Sequence, residues 1–204
     1  IINNIKPYGY VVLNADDNTA MWATYEHKLS DWTAQYIIDK LAVPPQINET
    51  ISSKYGTDFT YTYEAPLKNI PKPTIEVQLD TVINNVRSIR LCITPNRPIN
   101  RLEVFTNPID ILKADVNGIQ LSEHFLQNRN SGRLITNYIS DKNFTDINLE
   151  FPADSPLELT FYEASNDLLN NELFSIPERR EDQIPMPFVL NDAIVTVQKL
   201  KFGQ

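Results

Sequence analysis

The residues able to do chemistry in this chain are few and scattered. Its two histidines, His27 and His124, lie far apart and outside H-E-x-x-H or any comparable metal-ligand spacing. Each reads as a solvent-exposed or locally hydrogen-bonded ring. No G-x-S-x-G elbow occurs, and five glycines leave little material for a tight nucleophile turn. Walker and dinucleotide-binding glycine patterns are also missing. Asp16 and Asp17, with Glu26 and Asp31, form the densest group of acids. Calcium needs about six to eight converging oxygens, and no D-x-D-x-D-G loop is present, so the group reads as a solvated turn. A glycosidase pair meets only in space and cannot be read from spacing. No residue is therefore assigned a catalytic or metal-binding role.

Aromatic side chains offer the remaining chemistry. Trp22, Trp32, Tyr36, Tyr61 and Tyr63 could present ring faces to a sugar, and Trp22, Trp32 and Tyr36 are the ligand-binding candidates. Tyr61 and Tyr63 share a face of FTYTYEA. Core packing is the reading favoured for all five, because large aromatics at periodic positions usually fill interiors. The lone Cys92, in SIRLCITP, can form no intrachain disulfide and reads as a small buried residue on a strand. Asn48-Glu49-Thr50 and Asn143-Phe144-Thr145 would accept glycans in a secretory route.

The elements that must position these residues follow from hydrophobic period. Tyr10–Leu13 and Ala20–Tyr25 bracket Asn14-Ala15-Asp16-Asp17-Asn18, which predicts a hairpin. Ser30 or Asp31 then caps an expected amphipathic helix on which Leu29, Trp32 and Tyr36 share one face, ending near Lys40 before Pro44 and Pro45. The polar tract Gln46 to Asp58 reads as a surface loop. From Phe59 onward the period is two. TIEVQLD places Ile75, Val77 and Leu79 on one face, SIRLCIT does so with Ile89, Leu91 and Ile93, and RLEVF with Leu102 and Val104. DINLEF, PLELTFYEA and a closing strand from Ala193 to Phe202 continue the alternation. Asn117-Gly118 suits a two-residue type I′ turn. About ten short strands with one helix near the N-terminus predict an antiparallel β-sandwich, taken as a single domain over 1–204.

Composition narrows the partners. A net charge of -8 and a pI near 4.8 disfavour nucleic acid and anionic membrane surfaces, both of which attract basic proteins. No apolar run reaches the roughly 18 residues of a membrane-spanning helix. The chain opens on IINNIKPYGY, with neither an initiator methionine nor a signal-like n-region, and is expected to be a processed or excised piece.

Several phrases carry a family resemblance. ADDNTAMWATYEHKLSDWTAQYI resembles the segment that opens the C-terminal domain of membrane-anchored zinc peptidases of metallopeptidase family twenty-eight, where "LDADTGxAxWxS" precedes "DxWT" and a short helix. ILKADVNGIQL is similar to the family's "VxxxxVNGxxL" hairpin. PLELTFYEASNDL, followed by RREDQIPMPFVLNDAIVTVQKLKF, looks like the end of that domain, although Ser165-Asn166-Asp167-Leu168 stands where the family has Gly. The phrases occur in the family's order and span most of the chain.

The resemblance implies a non-catalytic, extracytoplasmic domain of a membrane-bound aminopeptidase-like protease. Its partners would be the peptidase and transmembrane parts of the parent chain, with no nucleic acid and no direct membrane insertion of this segment. Zinc would reside in the parent's peptidase domain and no cofactor in this chain, which has no positions matching the zinc ligands or the Glu general base. The alternative is a carbohydrate-binding sandwich, which would require Trp22 or Trp32 to be exposed.

Overall fold

The computed structural model describes residues 5–6, 10–14, 16–44, 47–48, 58–129, 132–140, 143–177, 184–185 and 189–203. Most of the 46–58 tract and of the Pro-rich 177–187 segment lies outside them. The protein is predominantly β, and the chain divides into two compact units, Ile1–Ile70 with Ala164–Val197 and Pro71–Glu163 with Gln198–Gln204.

In the first unit, β1 (Ile5–Lys6) pairs in parallel with β13 (Ile184–Pro185). The expected hairpin joins β2 (Tyr10–Asn14) to β3 (Thr19–Thr24), and β4 (Tyr61–Glu64) adds antiparallel to β3. Asn18 takes a φ of 53° in the connecting turn, a conformation asparagine tolerates. The first residues of β14 (Ile194–Phe202) pair in parallel with β2. Between Ser165 and Asn171, side-chain hydrogen bonds hold the chain. Ser165 Oγ lies 2.5 Å from Asp167 Oδ1, and Asn171 Nδ2 donates to Asp167 Oδ2 at 2.9 Å.

The expected N-terminal helix is corrected. Only a 3₁₀ turn forms there, over Thr33–Gln35, and the short α-helix α1 lies at Glu123–Gln127, capped by Ser122, whose hydroxyl accepts from the Phe125 N–H. Competition from local side chains is the physical reason. Ser30 N–H donates to Thr33 Oγ1 at 2.9 Å and to Glu26 Oε2 at 3.2 Å, while Thr33 N–H donates to Ser30 Oγ at 3.3 Å. β-Branched Thr33, Ile37 and Ile38 add little helical preference to offset these bonds.

The second unit is an antiparallel β-sandwich. One sheet has the order β5 (Thr74–Ile83), β6 (Val86–Thr94), β11 (Thr145–Pro152), β8 (Lys113–Val116), β9 (Ile119–Gln120). Facing it are β10 (Arg133–Tyr138), β7 (Arg101–Thr106) and β12 (Leu157–Ser165). Leu91, Ile147 and Leu149 from the first group meet Val104, Leu134 and Leu159 from the second in one core. β11 alternates buried and half-buried residues without a break, as its sequence predicts. Asn117 and Gly118 turn at φ 51° and 80°, the signs a type I′ turn requires, and Asn84-Asn85 does the same between β5 and β6 at 50° and 62°.

One face assignment is overturned. A bulge between Val77 and Leu79 shifts the register, so Val77 stands opposite Leu91 but Leu79 stands opposite Arg90. An extra residue reverses the side-chain alternation, and Leu79 leaves the face shared by Ile75 and Val77.

Candidate functional site

The three aromatic ligand candidates do come together. Trp22 on β3, Trp32 just before the 3₁₀ turn and Tyr36 at its end form one cluster in the first unit. Ring centroids are 5.0 Å apart for Trp22 and Tyr36 and 5.7 Å for Trp32 and Tyr36, and Phe174 meets Trp22 edge-on at 6.1 Å. Leu168, Ile37 and Ile194 complete the core, with Tyr61 and Tyr63 of β4 packed against it. Trp22 is 6% exposed and Trp32 8%. Burial also pushes the Tyr36 phenol above its ordinary value. The void among these rings measures about 10 Å³, at the lower limit for one water molecule. Stacking a sugar requires an open ring face, and neither tryptophan offers one.

The acidic group does not converge either. Asp16, Asp17 and Asp31 are exposed, whereas Glu26 is buried and accepts from the Ser30 N–H and the Thr33 hydroxyl. Its carboxylate fastens the chain between β3 and the 3₁₀ turn. His27 is exposed, and His124, on exposed α1, lies 3.3 Å from the Asn128 side-chain amide. Among the described residues, no group of three or more His, Cys, Asp or Glu is arranged to hold a metal ion.

Cys92 departs from its expected burial. It lies on β6 between inward-facing Leu91 and Ile93, so its own side chain points to the outer surface, where it is half-buried. Desolvation raises its thiol pKa, and the nearby Asp146 and Glu76 carboxylates raise it further, opposing thiolate formation.

What residue-by-residue reading missed is a polar groove of about 800 Å³ on the outer face of the five-stranded sheet. Arg90 Nε donates to Asn148 Oδ1 at 2.7 Å, and Asn148 Nδ2 donates to Asp115 Oδ1 at 3.3 Å, linking β6, β11 and β8. Asp115 Oδ1 also accepts from the Gly118 N–H at 3.1 Å. Alternation in SIRLCIT and DINLEF locates these outward positions, but their alignment depends on strand order and register.

No family model matches the chain, and neither does any curated protein.

Proposed function

We propose that this chain is a non-catalytic, extracytoplasmic domain of a membrane-bound, zinc-dependent aminopeptidase-like protease. It packs on or near the peptidase domain of the parent chain or mediates its interactions. The supporting observation is where the resembling phrases meet. Trp22 of AMWAT, Leu168 of ASNDL and Ile194 of DAIV share one core in the first unit, and Trp32 of DWT adjoins them through its ring contact with Tyr36. Residues far apart in sequence thus carry the resemblance by building a scaffold. Zinc and its general base belong to the parent's peptidase part. No helix of the described residues is long and apolar enough to cross a membrane.

The test is an aminopeptidase assay on the purified chain, with leucine p-nitroanilide as substrate and zinc added. No turnover above the zinc-only blank is expected. Zinc-dependent turnover that disappears when a residue of this chain is substituted contradicts the reading.

A further inference from the structure

We propose that the groove on the outer face of the five-stranded sheet binds a short neutral oligosaccharide. The proposal does not depend on the peptidase reading, and it places glycan binding on polar side chains of the second unit instead of on the tryptophans.

Register supplies the first argument. Leu79, Arg90, Asn148, Asp115 and Gln120 stand opposite one another on five successive strands, so they form a single row across the sheet. Beside it, Ser88, Glu150 and Lys113 form a second row, with Lys113 Nζ 3.7 Å from Glu150 Oε1. Donor-only Arg and Lys therefore alternate with acceptor-only Asp and Glu and with Asn, Gln and Ser, which do both. Sugar hydroxyls both donate and accept, and a row of mixed character matches them.

Charge supplies the second. The groove is lined by two bases, Arg90 and Lys113, and three acids, Asp115, Asp146 and Glu150. That near balance, with a slight acidic excess, favours an uncharged ligand and opposes an anionic one.

Preorganisation and size complete the case. The Arg90, Asn148 and Asp115 side chains are already held by mutual hydrogen bonds on paired strands, so little freedom remains to be lost on binding. Leu79, 44% exposed at the edge strand, offers an apolar surface for a sugar's C–H face. The volume, about 800 Å³, falls in the range of small-molecule sites and accommodates two or three sugar units.

The ¹⁵N-labelled chain is titrated with maltotriose, cellotriose, chitotriose and mannotriose, and separately with trigalacturonate and a basic hexapeptide, while the Asn148 amide and Arg90 Nε–H signals are followed. Saturable shifts with at least one neutral trisaccharide are expected, weakened about tenfold or more in Asn148→Ala. Should that variant fail to fold, Lys113→Met at a half-exposed position carries the same expectation. The proposal is overturned if none of the four neutral sugars produces a saturable shift. An undiminished response in the folded variant, or binding of only trigalacturonate or the peptide, also overturns it.

Discussion

The indole N–H of Trp32 donates to the carbonyl oxygen of Pro177 across 3.1 Å, joining two positions 145 residues apart in the chain. This bond satisfies the polar edge of a buried aromatic ring and pins the segment after β3 to the segment after Leu168.

Trp32→Phe keeps an aromatic ring but removes the donor to the carbonyl of exposed Pro177, which water can replace, a loss of about 0.5–1.5 kcal/mol for the hydrogen bond. Trp22→Ala removes a buried ring from the middle of the cluster and should cost about 3–5 kcal/mol. Urea denaturation of both variants against the parent measures the two losses. In the folded parent, tryptophan emission should be blue-shifted and poorly quenched by acrylamide; red-shifted, readily quenched emission would contradict burial of the pair.

Two glycines separate conformational strain from steric conflict. Gly118 has a φ of 80° with open space where a Cβ would stand, whereas Gly132 has a φ of 71° and a Cβ there would meet the Thr106 carbonyl oxygen at 2.4 Å. Gly118→Ala should cost about 1 kcal/mol from backbone strain alone. Gly132→Ala should cost about 3 kcal/mol or more, because β7 must also move. Equal losses in thermal unfolding would count against the backbone approach at Gly132.

The bulge in β5 makes a prediction opposite to that of simple alternation. Leu79→Ala should cost less than about 1 kcal/mol, because Leu79 is 44% exposed on the outer surface, while Leu91→Ala, fully buried, should cost about 2–5 kcal/mol. Comparable losses would return Leu79 to the core face.

Glu103 gives a signed pH dependence. Burial raises its carboxyl above the ordinary value of 4.5, despite Arg101 at 3.3 Å, Arg133 at 3.6 Å and the Thr136 hydroxyl at 3.2 Å. The folded protein therefore holds this proton more tightly than the unfolded chain. Its stabilising contribution is fully present below the unfolded value and is lost as pH rises through the raised folded value. The stability difference between the parent and Glu103→Gln should accordingly shift against the parent as pH climbs from about 4 towards neutrality. A difference that shifts in the parent's favour over that interval would mean that ion pairing outweighs burial.

How much of this was legible in the sequence depends on the range of the interactions involved. Strands in SIRLCIT, RLEVF and DINLEF and the Asn117-Gly118 turn follow from local period and backbone preference, and the structure places Leu91, Val104 and Ile147 in the core as that period requires. β10 was not legible, because a bulge between Arg133 and Ile135 buries the adjacent Leu134 and Ile135 and erases the alternation. The N-terminal helix misled because the Ser30, Thr33 and Glu26 side chains compete for the backbone, a contest that periodicity does not register. Trp22, Trp32 and Tyr36 were identifiable as a group, but whether their faces were open was decided by Phe174 and Leu168, far along the chain. The groove residues were invisible as a set because Arg90, Asn148 and Asp115 meet only through the strand order β6-β11-β8.

The central claim, a non-catalytic domain belonging to a membrane-bound zinc peptidase, is tested most directly by sequencing the coding frame upstream of Ile1. Several hydrophobic helices are predicted there, preceded by a peptidase domain with a set of zinc-ligating histidines and carboxylates. A frame that begins close to Ile1, or an upstream region with neither the helices nor the ligand set, would contradict the claim.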